Sequence, residues 1–220
     1  MPIVWTLNGD ETSWPVWATD MANSPASPLA EELLTVYKPD PKSTRRALDL
    51  GCGVGRAFSP LRRAGFEIVG LDPVLSGLGL ARERAKKESI PARLVCGVAS
   101  LPPLPSSSMD LVLAVGVLFH LSPLELDLAL DSINRILRPE GEAILHFLDF
   151  SDWRKSLAGV ISPEQAPTPG YNAVLTSFCS DDVLEDRLVA GGLRIKSLVP
   201  RSKNTERGRQ CDWIAYCRKG

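Results

Sequence analysis

Leu48-Asp49-Leu50-Gly51-Cys52-Gly53-Val54-Gly55 decides the fold. The segment starts in a short apolar strand, Ala47 to Leu50, and breaks into a turn with glycine at alternate positions. Glycine lacks a Cβ and enters backbone conformations closed to other residues, so this spacing predicts a tight turn that a ligand can approach. Free N–H groups there are expected to draw anionic ligand atoms. A helix follows, with Phe58 and Leu61 on one face and its end at Gly65. Phe66 to Asp72 reads as the second strand, and Asp72 closes it seventeen positions after Gly55. A carboxylate at such a strand end can accept both hydroxyls of a ribose. Together, turn and carboxylate predict a site for a nucleoside-containing ligand. The dinucleotide fingerprint G-x-G-x-x-G/A is not met, because the third glycine arrives one position early and Arg56 stands where the pattern needs Gly or Ala. Asp49, two residues before the first glycine, is placed to organise the turn or to meet a cationic group.

Outward from the turn, strands and helices alternate. Val74 to Lys87 reads as a helix burying Leu75, Leu78, Ala81 and Ala85; Ala92 to Val98 is a third strand and Met109 to Val117 a fourth. The unbroken apolar character of the fourth suits a strand covered on both faces. Ser122-Pro123-Leu124-Glu125 carries a capping box with proline just inside it. The helix it starts is expected to bury Leu124, Leu128, Ala129, Leu130, Ile133 and Leu137. Ala143 to Leu148 is the fifth strand, and Ser180 is expected to cap a helix ending at Gly191-Gly192. Arg194–Val199 and Asp212–Tyr216 are strands joined by a polar loop, a hairpin that makes the last strand antiparallel. Before the turn, Ser27 and Pro28 start a helix that runs to about Tyr37. The predicted fold is α/β: a Rossmann-like, doubly wound seven-stranded sheet, mainly parallel with an antiparallel C-terminal strand. One domain is expected over 1-220. It divides into an N-terminal cap (1-45), a core (46-149), an irregular cover insertion (150-179) and a C-terminal helix and hairpin (180-220).

Composition narrows the function classes. At 220 residues the chain can bury one sizeable core, and 44% hydrophobic with 23% charged residues excludes a disordered chain. A formal charge of -1 argues against a strong nucleic-acid binder, which needs basic surface. The longest apolar run, Leu111 to Phe119, is too short to span a bilayer, and no secretory signal is visible. The five cysteines are scattered without C-x-x-C spacing, so neither a metal site nor a disulfide framework is expected, and the expected setting is the cytoplasm.

Four ordered segments resemble one family. Leu48 to Gly55 is similar to the first signature of class I S-adenosylmethionine-dependent methyltransferases. Gly70-Leu71-Asp72 resembles their acidic second-strand signature. Ser108 to Val112 with Gly116 to Leu121 resembles the fourth strand and its active-site end, and Leu137 to Glu142 the turn before the fifth. The resemblance covers 46-150 and implies S-adenosyl-L-methionine as cofactor, held by Asp49, Gly51, Cys52, Gly53, Gly55, Asp72, Pro73 and Val115. Family members often carry an acidic residue after the third strand for the adenine amine. Here that stretch is Gly97-Val98-Ala99-Ser100, so backbone groups of Val98 and Ala99 or the Ser100 hydroxyl are expected to serve.

His120 follows the fourth strand, where the family places its acceptor, and is the expected general base and acceptor contact; the alternative is a histidine packed under the cover. His146 lies mid-strand and reads as a core histidine, and Cys52 as a small filler of the turn. Nine of fourteen aromatic residues fall in 1-37 or 147-178. That bias predicts a pocket for a planar or apolar small molecule, with Trp17, Asp149, Trp153 and Tyr171 as contacts. Asp149 and Asp152 are alternatively exposed turn residues. Residues 1-40 are acidic, which disfavours RNA, and the basic cluster Arg201, Lys203, Arg207, Arg209 reads as a solvated loop. Residues 1-26 and 150-179 are expected to form a mobile lid. The function expected is methyl transfer to oxygen or nitrogen of a small molecule, without a nucleic-acid or membrane partner. An RNA or protein methyltransferase and a non-catalytic binding protein are the alternatives.

Overall fold

The computed structural model describes residues 4–8, 14–38, 40, 44–154, 160–161 and 174–220. In chain order the first elements are β1 (Val4–Asn8), α1 (Trp14–Met21), α2 (Pro28–Leu34), β2 (Arg45–Leu50), α3 (Phe58–Arg63), β3 (Phe66–Asp72), α4 (Leu75–Lys87) and β4 (Ala92–Cys96). There follow β5 (Met109–Ala114), a 3₁₀ turn (Leu118–His120), α5 (Pro123–Ile136), β6 (Leu137–Leu148), β7 (Val160–Ile161) and β8 (Val174–Phe178). α6 (Asp181–Ala190), β9 (Leu193–Thr205) and β10 (Gly208–Lys219) complete the order.

Side chains alternate across a strand, and that alternation sorts the core into two layers. Ala47, Ile68, Leu111, Leu113 and Ile144 face one way and pack with Leu33 of α2, Phe58 and Leu61 of α3, and Leu78 of α4. Leu48, Leu50, Val69, Val112, Ala143 and Leu145 face the other way, against Leu130 and Ile133 of α5 and Leu184 and Leu188 of α6. Both faces are covered, which is why the strands read as apolar runs. The sheet order is β4-β3-β2-β5-β6-β10-β9. β2 to β6 run parallel, and β10 lies antiparallel between β6 and β9. The seven-stranded, mainly parallel sheet with an antiparallel last strand is therefore as expected. No helix among the described residues is long and apolar enough to cross a membrane.

Several element boundaries differ from expectation. β5 stops at Ala114 rather than Val117, because Gly116 takes φ +79° and turns the chain into the 3₁₀ turn. β4 likewise ends at Cys96. The capping box of α5 forms, but its buried stripe is Leu126, Ala129, Leu130, Ile133 and Ile136. Leu124 and Leu128 lie on the flank and are exposed. Ser180 precedes α6, yet its hydroxyl bonds Asp182 and not the backbone. The polar loop expected between the last strands is strand instead: β9 and β10 pair from Thr205 and Gly208 onward around a two-residue turn. Nor are the cover segments wholly irregular. β1, β7 and β8 form a second, antiparallel sheet that joins residues from 1-26 to residues from 150-179. The prolines that suggested irregularity, Pro163, Pro167 and Pro169, lie between β7 and β8, outside the described residues.

Candidate functional site

β2 leads to α3 on one face of the sheet, and β5 leads to α5 on the other. Their diverging carboxyl ends leave the crevice in which open α/β sheets bind ligands. The glycine turn lies there. Gly51, Gly53 and Gly55 have φ of +71°, +51° and +76°, conformations that favour glycine. A Cβ on Gly51 would sit 2.6 Å from Cβ of Val117, just past β5, so this position also has no room for one.

The backbone N–H groups at this turn are already used. Gly51 and Cys52 both donate to the Leu71 carbonyl, at 2.8 and 2.9 Å, and Gly55 donates to the Cys52 carbonyl at 2.8 Å. Gly53 donates to Oδ2 of Asp72 at 2.8 Å. The expected cradle of free N–H groups is thus corrected at these four positions: the end of β3 supplies their acceptors. A pyrophosphate would find these donors engaged, whereas a cationic or hydroxyl-bearing ligand needs acceptors.

Acceptors are what the crevice offers. Asp72 takes the Gly53 N–H on one oxygen and the Val74 N–H on the other, at 2.9 Å. A carboxylate has about four acceptor positions, so each oxygen keeps capacity for a further donor. Burial pushes the Asp72 pKa up, and the Val74 and Gly53 N–H groups only partly offset it. Asp49 is buried, and its Oδ2 has no hydrogen-bond partner among the described residues. Burial, then the nearby Asp72 charge, raises its pKa to about 7. Beside these carboxylates, Gly97 donates to the Asp72 carbonyl, which brings the end of β4 against the end of β3. Leu75, expected to be buried but standing at the very start of α4, is 71% exposed, and Val98 and Leu101 in the turn after β4 are exposed by 48% and 76%.

The other expected cofactor contacts divide. The Cys52 sulfur would lie 3.0 Å from a Cβ on Gly70, so it faces the core beneath the turn. Burial and the two aspartates push its thiol pKa well up, which makes it filler and not a nucleophile. Pro73 is half-buried, and its carbonyl faces the Cys96 thiol. Ala99 is buried, and the Ser100 carbonyl accepts from Ser132 at 3.1 Å. Val115 is half-buried against the layer that holds α2 to α4.

α1 stands over the turn. A Cβ on Gly53 would lie 2.9 Å from the Trp17 ring. Trp17 meets Trp14 edge-on at 6.2 Å, Trp14 meets His120 edge-on at 4.9 Å, and His120 lies 4.4 Å from Phe119. A chain of contacts thus links Gly53 to His120 through Trp17 and Trp14. Trp14 joins them without having been singled out, and the signal for it is its i,i+3 spacing from Trp17 on one helix. Tyr171 lies outside the described residues.

Asp149 directly follows β6, and Trp153 lies at the β9–β10 turn. Asp149 accepts from Ser151 N–H and hydroxyl and closes a turn after β6. Trp153 packs on the β9–β10 turn, where a Cβ on Gly208 would lie 2.7 Å from its own. With Arg154, Arg207 and Gln210 it lines a cavity of about 440 Å³. Asp152, read as an exposed turn residue, is buried: it binds Arg154 through both oxygens and takes the Cys211 N–H at 2.7 Å. Arg154 also reaches Asp212, whose carboxylate lies 3.3 Å from Nε2 of the buried His146. Burial works against ionisation of Asp212, but His146 and Arg154 hold its pKa below the usual range. Arg154→Ala should strand two buried carboxylates. Allowing for the partial exposure of Arg154, the expected loss of stability is about 2–4 kcal/mol, read from urea denaturation.

Known proteins resemble this chain in sequence and in fold. A family model described as a methyltransferase domain matches residues 48–145. The mitochondrial ubiquinone biosynthesis O-methyltransferase of Mus musculus is 26% identical over 165 residues, covering 72% of this chain and 44% of that protein. The chain thus spans less than half the length of this curated relative. A Pyrococcus horikoshii protein has the same fold with TM-score 0.69 and 22% identity, over 93% of this chain and 91% of that one. So does the 1,6-didemethyltoxoflavin-N1-methyltransferase of Burkholderia thailandensis, solved with bound 1,6-didemethyltoxoflavin and S-adenosylhomocysteine (TM-score 0.64, 18% identity, 93% and 80% coverage).

Proposed function

We propose that this chain, whose residues 48–145 match a family model described as a methyltransferase domain, is a class I S-adenosylmethionine-dependent methyltransferase that moves a methyl group from S-adenosyl-L-methionine to an oxygen or nitrogen of a small molecule. The observation that carries the reading is the unpartnered Oδ2 of buried Asp49, beside Asp72, in a turn whose N–H groups at 51, 52, 53 and 55 are spent. Asp49 would take the ammonium of the methionine moiety, and Asp72 the ribose hydroxyls. Leu75, Val98 and Leu101 offer apolar surface to the purine, with the Val98–Ser100 stretch at its edge. The bound donor supplies a methyl group on a sulfonium, already a good leaving group. What remains for the chain is to orient the acceptor, exclude water and remove a proton where the acceptor carries one. Trp17 and Trp14 wall the space beyond Gly53. His120, flanked by Trp14 and Phe119, is our choice for the base.

An aromatic wall suits a planar acceptor, and relatives named for ubiquinone biosynthesis and for 1,6-didemethyltoxoflavin are consistent with a small-molecule acceptor. A nucleic-acid acceptor fits less well: in the basic hairpin Arg201 is paired with Glu32, and Arg209 donates to Ser202. The cysteines are unpaired, in keeping with a reducing compartment such as the cytoplasm. Asp72→Ala tests the reading by calorimetry with S-adenosylhomocysteine. Loss of charge-assisted bonds worth about 1.5–3 kcal/mol should weaken binding roughly 10- to 100-fold. Unchanged affinity would remove the ribose from Asp72 and the proposal with it.

A further inference from the structure

The turn that ends α1 is held by two arginines from other elements. α1 has no basic residue in its own last turn. The carbonyls of Thr19 and Met21 accept from the N–H groups of Ala22 and Ser24, and the carbonyls of the turn after the helix are left for other donors. Arg84, on α4, donates through Nη2 to the carbonyls of Ala22 and Ser24, at 3.3 and 2.6 Å. Its Nη1 reaches Glu88 at 3.4 Å, and its side chain is only 10% exposed. Arg56, the residue after Gly55, donates to the Pro25 carbonyl at 3.1 Å, and its own carbonyl accepts from Ser27 N–H at 2.9 Å. The two guanidinium groups are close: burial and the Arg84 charge both lower the pKa of Arg56.

Burying like charges together is costly unless acceptors compensate them. A glycine or asparagine would end a helix without that cost. Here two cations are spent on the turn after the helix that carries Trp14 and Trp17, and Ala18 of that helix sits 3.8 Å from a Cβ on Gly77. We propose that Arg84 is a positioning residue: its grip on the end of α1 governs how often Trp17 lifts from Gly53, and so gates entry of the donor and release of the spent product. This rests on the glycine turn being the donor site.

Stopped-flow tryptophan fluorescence with S-adenosylhomocysteine tests it. In the unaltered protein the observed association rate should level off at high ligand, at the opening rate of α1. In Arg84→Ala, the open fraction, and with it the association rate at low ligand and the release rate, should rise about tenfold, since a charge-assisted grip is lost. Arg84→Lys, which keeps the charge without the planar fork, should fall between. In a Trp17→Ala background the Arg84 change should alter neither rate. A linear, non-saturating association rate overturns the gate, and so do unchanged rates in Arg84→Ala. If Arg84→Ala does not fold, the plateau and the lysine variant decide. No binding by the unaltered protein overturns the donor reading instead, which keeps the two failures apart.

Discussion

Gly53→Val is expected to abolish detectable binding of S-adenosylhomocysteine while the circular dichroism spectrum of the fold persists. Two costs combine at this position. Gly53 has φ +51°, a region from which a β-branched side chain is nearly barred. Its Cβ would also meet the Trp17 ring at 2.9 Å, so α1 must shift or the turn must rebuild. A rebuilt turn loses the Gly53 N–H bond to Asp72 and with it the set of that carboxylate. The expected loss of affinity is at least about 100-fold, from strain and misplaced acceptors together. Wild-type affinity in a folded variant would show that this backbone does not line the ligand.

Asp49→Asn should raise stability and destroy binding at once. The native pKa of Asp49, about 7, lies above its ordinary 3.8. Between those values the unfolded chain has released the proton and the native chain still holds it, so stability falls as pH rises through that window. Asparagine removes the penalty. Without ligand, the variant should be more stable than wild type at pH 8, by a few kcal/mol at most, and the difference should fade towards pH 4. Binding moves the other way. An ammonium that loses its buried carboxylate partner forfeits about 2–5 kcal/mol, so affinity for S-adenosylhomocysteine should drop at least about 30-fold. In wild type, affinity should weaken by roughly tenfold per pH unit below 7, because binding then displaces a proton. Calorimetry in buffers of different ionisation enthalpy reads that proton directly. A variant that is destabilised at pH 8, or binding indifferent to pH, would place the ammonium elsewhere.

The sheet was legible because its signals are local and agree with one another. Gly51 to Gly55, the Asp72 strand end and the Ser122 capping box each state a boundary in a few residues. Asp49, Asp72 and the glycines follow from the same stretch. What the residues alone did not disclose depends on distant partners. That Leu71 and Asp72 use up the N–H groups of the turn is set by how β3 lies beside it. That Asp152 is buried depends on Arg154 and on the Cys211 N–H across the hairpin. β1 and β8 are short, and β1 becomes a strand by pairing with β7 and β8, both more than 150 residues away. Leu124 and Leu126 are chemically alike, and only the packing of α5 leaves one out and takes the other in.

A turn whose donors are satisfied before any ligand arrives keeps its shape when empty. Binding there costs little in backbone order, so affinity goes into contacts with the ligand rather than into building the site. On the proposed reading, donor and spent product would present the same ribose and ammonium to this rigid floor, and it could not tell them apart. Turnover then needs an element that yields where the floor does not. The enzyme would clear its product at the pace of the helix above, with a rate set by an opening motion and insensitive to the acceptor's reactivity.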